Sequence, residues 1–302
     1  MMSEIYAADK LVHDAEAFRQ ETGDSSKYVS FKNFKRKTYD KYMKAIIIYE
    51  KFHLLKRYAF CSAAEIAENS FKDYNTAIEN YRAAGDRLLF CQPIFSLRCY
   101  TFAYRMFIKI KDITGGDEFS EYVRNKLEIC PSRKKLVAEF YEHVIKIYGN
   151  PLNIDPEKIY LNKYRFILAE NLFLIKHYKL ASKLYKKIVA ENIDNLQERD
   201  LVLSCCVRGC LVAILSRIHR VQEYMDHYCK LSRDFEKSSQ YSLLKRITIS
   251  IIQRNHSELD VAVKILGAYD KNTEFNKIVL ERAKELIEKS KIKLRLLAAQ
   301  AI

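Results

Sequence analysis

The chain has 302 residues, 49% of them hydrophobic, which is enough for a large core or for two ordinary domains. Seven glycines and four prolines leave few tight turns and argue against long strands joined by hairpins. The 52 Lys and Arg outnumber the 38 Asp and Glu, and the net charge of +14 favours an acidic partner: nucleic acid, anionic lipid or an acidic protein surface.

The N-terminal sequence "MMSEIYAADK" carries two acids and no apolar core, so we do not predict a signal peptide. No apolar run approaches the roughly 18 residues that a membrane span needs. The eight cysteines are scattered and form no Cys-x-x-Cys pair, which is typical of reduced, buried thiols rather than of a disulfide framework. These features predict a cytoplasmic protein.

Apolar residues recur at helical spacing almost throughout, in pieces of mostly 12–25 residues, the length of helices in antiparallel pairs. Between these pieces we predict breaks at the following positions: 22–37, near Gly85 and Pro93, 114–118, Pro131, 149–157, 191–197, 254–258 and 270–274.

The first break contains "SSKYVSFKNFKRK" (25–37), in which aromatic residues alternate with five cations and no acid occurs. By itself this composition suits nucleic acid, a membrane surface or a basic helix end equally well. For its rings, packing beneath the first helix pair is the alternative to exposure.

Further along, a pattern of aromatic, two residues, Ala, three residues, aromatic recurs. It occurs at Tyr42/Ala45/Tyr49, Tyr74/Ala77/Tyr81, Tyr100/Ala103/Phe107 and Tyr178/Ala181/Tyr185, with a weaker copy at Lys134/Val137/Tyr141. These positions share one helix face, where the small residue admits a neighbouring helix. Successive starts lie 32, 26, 34 and 44 residues apart, in the range of helical-hairpin repeats.

We therefore predict an all-α fold: a right-handed superhelical array of antiparallel helix pairs, tetratricopeptide-like, over residues 1–195, followed by a C-terminal helical bundle over 196–302. The pattern fades past residue 200, and residues 199–218 read as a more fully buried helix.

No motif for catalysis is present: the sequence lacks a phosphate loop, a GxGxxG and an HExxH, and its histidines are isolated. Cys205, Cys206 and Cys210 suit small apolar positions of a helix core better than a metal cluster. We predict a protein that is not an enzyme and needs no cofactor or metal.

Three stretches resemble the soluble NSF attachment protein (SNAP) family: "YNTAIENYRAAGDRLLFCQPIFSLRCYTFAYRMF" (74–107), "KYRFILAENLFLIKHYKLASKLYKKI" (163–188) and "QERDLVLSCCVRGCLVAI" (197–214) with "CKLSRDFEKSSQYSLLKRI" (229–247). The resemblance covers about residues 5–290, and the alternative to it is an unrelated tetratricopeptide scaffold. It implies an adaptor that binds the SNARE four-helix bundle and recruits the AAA+ ATPase NSF, which disassembles the bundle after membrane fusion.

The resemblance also implies three contact surfaces. Family basic positions that bind the SNARE bundle fall on Arg124, Lys163, Arg199 and Arg208. The family's membrane-touching loop falls on residues 22–37, where the contacting residues are Tyr28, Val29, Phe31 and Phe34 with Lys32, Lys35 and Arg36. The family's ATPase contact at the C-terminus falls on Leu294, Leu296, Leu297 and Ile302, but this chain ends basic and apolar where the family is acidic.

The expected partners are thus a SNARE bundle, an NSF-type ATPase and an anionic membrane surface, with the protein peripherally associated with membranes and no nucleic acid bound. Two alternatives remain open from the residues: a helical-repeat protein that binds nucleic acid, because aromatics and cations interleave in 25–37, and a repeat scaffold for another acidic protein partner.

Overall fold

The computed structural model describes residues 2–21, 28–51, 57–149, 158–193, 195–217, 221–269 and 273–300. Within these ranges the side chains at 18–21, 28–32, 57–58, 158–159, 196, 217, 273 and 289–300 lie outside the description. The described residues form fifteen α-helices and no strand, which confirms the all-α prediction.

The helices are α1 (Met2–Glu21), α2 (Tyr28–Lys51), α3 (Arg57–Ile66), α4 (Tyr74–Leu88), α5 (Pro93–Lys109), α6 (Ile113–Leu127), α7 (Arg133–Tyr148), α8 (Lys158–Leu174), α9 (Tyr178–Asn192), α10 (Arg199–Arg217), α11 (Val221–Leu231), α12 (Arg233–Glu236), α13 (Ser239–Gln253), α14 (His256–Tyr269) and α15 (Thr273–Gln300). A π-helical turn, Ala67–Phe71, lies between α3 and α4, and a 3₁₀ turn, Leu196–Glu198, precedes α10.

Side-chain caps define several helix starts. The Asp73 carboxylate accepts a hydrogen bond from the Thr76 amide at 3.0 Å, and Asp112 accepts one from the Gly115 amide at 2.9 Å. Pro93 begins α5, where its missing amide hydrogen costs nothing. Short polar residues before apolar helical patterns therefore set the starts of α4 and α6 locally.

The breaks predicted near Gly85 and at 114–118 fall within helices, whereas the one near Pro93 lies where α5 begins. Gly85 lies inside α4, because the ring of Tyr100 occupies the space beside it: a Cβ on Gly85 would lie 2.5 Å from a ring carbon of Tyr100. Gly115 and Gly116 lie inside α6, whose first turn Asp112 caps. In both places a glycine permits close packing rather than a turn.

Contacts divide the described chain into two compact units, residues 1–157 and 158–302. The predicted boundary between repeats and bundle at 195/196 stays a prediction; α9 and α10, on either side of it, pack against each other.

In the first unit, α1 packs on α2, α3 and α5 flank α4, and α5 contacts α6 and α7. The small residue of every motif copy in this unit is buried: Ala45, Ala77, Ala103 and Val137. Two copies lie on successive, mutually packed helices, α4 and α5, so the motif does not occur once per helix pair. The motif instead marks a position where two helices come close together, and such a position can lie on the first or the second helix of a pair.

In the second unit α9 packs on α8 and α10, and α14 packs on α13 and α15. Helix α10 contacts α9, α11, α13 and α15. Its residues Cys205–Leu215 are all buried, as the prediction of a more fully buried helix expects, whereas Arg199, Asp200, Ser204 and Ser216 of the same helix are exposed. Gly209 admits the ring of Tyr228, whose hydroxyl would lie 2.0 Å from a Cβ there.

Among the described residues, no helix is both long enough and apolar enough to cross a bilayer.

Candidate partner-binding surfaces

Three of the four cations predicted to bind a partner reach the surface of their unit. Arg124 of α6 is 37% exposed and pairs with Glu121, one turn earlier. Lys163 of α8 is partly exposed. Arg199 at the start of α10 is 62% exposed and lies 2.9 Å from the Asp234 carboxylate. Such exposed pairs exchange easily with water, so these cations remain accessible to an acidic partner.

Arg208, the fourth, is buried. Its guanidinium lies 2.6 Å from the Glu170 carboxylate, and only 6% of its side chain is exposed. The guanidinium carbon also lies 3.9 Å from the ring centre of Phe275 and 5.6 Å from that of Phe166. Arg208 thus joins α8, α10 and α15 inside the second unit, and we leave it out of the surface proposed below.

The aromatic and basic segment predicted as a loop is mostly helical. Helix α2 begins at Tyr28, so only residues 22–27 separate α1 from α2, and these lie outside the described residues. The expectation of a loop to residue 37 is wrong: residues 28–37 contain neither glycine nor proline, and α2 extends back through them.

The side chains of Tyr28, Val29, Phe31 and Lys32 lie outside the description, so their exposure stays untested. Phe34 and Lys35 are half-buried at a small cavity of about 200 Å³. Arg36 is exposed, 3.4 Å from the Asp40 carboxylate, and its guanidinium carbon lies 5.6 Å from the Phe71 ring centre.

The C-terminal residues predicted to contact an ATPase are only partly placed. Helix α15 carries Leu294, Leu296 and Leu297, whose side chains lie outside the description, as does Ile302 altogether. The last described acid, Glu288, lies 3.2 Å from the ring of His256.

A cationic surface that sequence reasoning missed lies in the second unit. A cavity of about 610 Å³ between α9, α10 and α11 is lined by the following residues: Lys176, His177, Tyr178, Lys179, Leu180, Ser182, Lys183, Lys186, Val212, Ser216 and Tyr224. We call it the lysine groove. Its sequence signal is lysine at spacings of four and three in "KLASKLYK" (179–186), which puts Lys179, Lys183 and Lys186 on one side of α9, while Lys176 precedes the helix.

The groove lysines act on their neighbours. The Lys186 ammonium lies 4.2 Å from the ring centre of Tyr224. Burial lowers the pKa of His227, and the charges of Lys186 and Lys230 lower it further. His227 is therefore mainly neutral at pH 7 and adds little positive charge beside these lysines.

The cysteine cluster lies in the core. Cys205, Cys206 and Cys210 are fully buried, and burial raises the pKa of the Cys205 and Cys210 thiols well above their usual range. Among the described residues, no group of three His, Cys, Asp or Glu side chains is placed to hold a metal ion. These thiols are protonated packing residues of α10.

One comparison with known proteins gives a match. The family model described as "Soluble NSF attachment protein, SNAP" matches residues 7–288, nearly the full chain. No curated protein matches the chain.

Proposed function

The chain belongs to the soluble NSF attachment protein (SNAP) family, and we propose that it is an adaptor that binds SNARE complexes and recruits the AAA+ ATPase NSF to disassemble them. The observation that carries the proposal is the family match over residues 7–288. The family is one of non-enzymatic adaptors, and we infer that this chain likewise performs no reaction and acts in vesicle-mediated transport.

The charge and the exposed cations support the binding of an acidic partner. The net charge is +14, and Arg124, Lys163 and Arg199 offer cationic groups that are partly or well exposed. Contact between such groups and the acids of a SNARE bundle accelerates encounter and weakens as salt screens it.

The test of the proposal is co-assembly. Purified chain, SNARE bundle and NSF are mixed with a non-hydrolysable nucleotide at low salt and separated by size, and a complex of all three is expected. If the chain joins neither the bundle nor the ATPase, the proposal fails. Disassembly in the presence of ATP then reports whether the basic, apolar C-terminus, with Leu294, Leu296, Leu297 and Ile302, still stimulates the ATPase.

Reversing the charge of the exposed cations is expected to weaken binding to the bundle. The triple variant Arg124→Glu, Lys163→Glu and Arg199→Glu should bind at least about tenfold more weakly in low salt, because three attractive contacts become repulsive. Fluorescence anisotropy with a labelled SNARE bundle measures the effect.

The matched control reverses three other exposed lysines, Lys44, Lys237 and Lys264. It changes the net charge equally, so a loss of the same size in the control would attribute the effect to overall charge and remove these three residues from the binding surface.

We further propose that the chain is cytoplasmic and reaches membranes peripherally through the start of α2. Tyr28, Val29, Phe31 and Phe34 would enter the interfacial zone, and Lys32, Lys35 and Arg36 would meet anionic headgroups, each cation contributing about 1 kcal/mol. Because the target is anchored in a membrane, this attachment raises the local concentration of the adaptor.

Removing the rings at the start of α2 is expected to matter only where a membrane is present. The variant Tyr28→Ser, Phe31→Ser and Phe34→Ser should slow disassembly of liposome-anchored SNARE bundles about fivefold or more, since each lost ring removes apolar burial in the bilayer. The rate of disassembly of soluble bundles should change less than about twofold. Both rates are measured by fluorescence in the same way.

The control removes three exposed aromatics elsewhere, Tyr6, Phe90 and Tyr269, which are 74%, 76% and 55% exposed. If liposome-anchored and soluble bundles respond equally to the α2 variant, the rings pack within the protein and the membrane role is excluded.

A further inference from the structure

The lysine groove is a concave surface whose described lining residues carry positive charge and no carboxylate. Lys176, Lys179, Lys183 and Lys186 line it, with no Asp or Glu among the lining residues. At the C-terminal end of α9 the positive charge is balanced by an acid: Glu191 pairs with Arg165 and lies 3.8 Å from Lys187. The groove lysines lie before this end of the helix, where no such acid pairs with them in the lining. Their positive charges therefore add together over the cavity.

The charge is arranged as a stripe rather than as a point. Lys179, Lys183 and Lys186 span about 10 Å along α9 at 1.5 Å per residue, and Lys176 lies just before its first residue. A single carboxylate would occupy only part of that length. A chain segment with several carboxylates in succession matches the stripe.

The groove also offers apolar surface. Leu180 is 47% exposed, and Tyr178 and Tyr224 are half-buried at its wall. Val212 of α10 also lines the groove but is only 2% exposed, so the accessible apolar surface comes from Leu180 and the two tyrosines. Lys186 lies over the Tyr224 ring, so this wall presents an aromatic side chain beneath a cation. A ligand that carries charge alone would leave this apolar surface uncovered.

We propose that the lysine groove is a second docking site of this chain, for an acidic protein segment that carries apolar side chains between its carboxylates. The carboxylates contact the lysine stripe, and an apolar side chain enters the cavity beside Leu180 and Tyr224. The site goes beyond the proposed SNARE contact, because Arg124, Lys163 and Arg199 do not line the groove.

The test uses a synthetic probe, a fluorescein-labelled 15-residue peptide with five Glu and three Leu, and the full-length chain. Anisotropy titration in low salt is expected to give saturable binding that weakens as salt is raised. The variant Lys179→Glu with Lys183→Glu, two exposed positions on α9, should lower the affinity at least about tenfold. The control variant, Lys237→Glu with Lys264→Glu, has the same net charge as the groove variant and should change the peptide affinity less than about twofold.

Three further comparisons decide the outcome. A probe with Leu replaced by Ser should bind several-fold more weakly. Equal binding of the two probes would show that the groove recognises charge alone, and would overturn the proposal. An equal loss in the control variant would also overturn it. The third comparison uses vesicles with 5% phosphatidylinositol bisphosphate. If the chain binds these vesicles through Lys179 and Lys183 and does not bind the peptide, the groove is a lipid site and the proposal is rejected.

The Lys163→Glu and Arg199→Glu variant should retain peptide binding. If it loses SNARE and peptide binding together, the groove is not a separate site. Failure of SNARE binding in the unmodified chain with intact peptide binding would reject the proposed function and leave the groove standing.

Discussion

Replacing Arg208 by Ala is expected to destabilise the second unit by about 3 kcal/mol, because it leaves the Glu170 carboxylate without its buried partner and opens a cavity beside Phe275. For a unit of this size that corresponds to a fall in Tm of about 6–12 °C. Circular dichroism at 222 nm during heating measures it.

Two comparisons separate this structural role from a role in partner contact. Arg199→Ala, at a 62% exposed position, should lower the stability by less than about 1 kcal/mol. The double variant Arg208→Met and Glu170→Leu removes both charges and should recover most of the lost stability. If Arg208→Ala instead melts like the unmodified chain and loses SNARE binding, Arg208 acts at the partner surface.

Replacing Glu68 by Gln is expected to destabilise the first unit by about 2–3 kcal/mol, because a buried charge holds three neighbours there. Glu68 is 4% exposed and lies in the π-helical turn before α4. Its carboxylate accepts hydrogen bonds from Lys109 at 2.6 Å, Arg105 at 3.0 Å and the Tyr81 hydroxyl at 3.1 Å. The carboxylate thus ties the turn to α4 and α5.

The effect of Glu68→Gln should depend on pH in a defined direction. Burial acts to raise the pKa of Glu68, but the hydrogen bond from Lys109 and the charges of Arg105 and Lys109 outweigh it, so the net pKa lies below the ordinary 4.5. A carboxyl with a lowered pKa contributes stability above its unfolded pKa and loses it as the pH falls through the folded value. The difference between the two proteins should therefore be constant from pH 7 to 6 and shrink below about pH 4.5.

Urea unfolding at several pH values measures this difference, with Glu79→Gln as the control at an exposed position of α4. A difference that stays constant down to pH 3 would show that the Glu68 charge does not stabilise the fold. A control with the same loss as Glu68→Gln would show that the effect comes from charge balance in general.

Much of the fold follows from local pattern. Apolar periodicity predicts the helices, and the motif's small residues, such as Ala45 and Ala103, are buried as expected because a helix contact leaves no room for a larger side chain. The family resemblance, carried by residues 74–107, 163–188, 197–214 and 229–247, is confirmed by the match over 7–288.

Side-chain environment does not follow from local pattern. Arg208 and Arg199 lie nine residues apart on α10 and look equivalent in sequence, yet one is paired in the core and the other is 62% exposed. The difference arises because α8 and α15, distant in sequence, bring Glu170 and Phe275 to one side of α10 only.

The sequence by itself thus determined the helical class, the positions of most helices and the family, since periodicity, small residues at helix contacts and motif order are all written along the chain. Only the tertiary structure decided which cations are exposed, that glycines at 85 and 115–116 lie within helices, and that four lysines share a groove with Tyr224. The physical reason is that burial and electrostatic partners come from residues far apart in sequence, so the same side chain serves as a core contact or a surface charge according to which helices pack beside it.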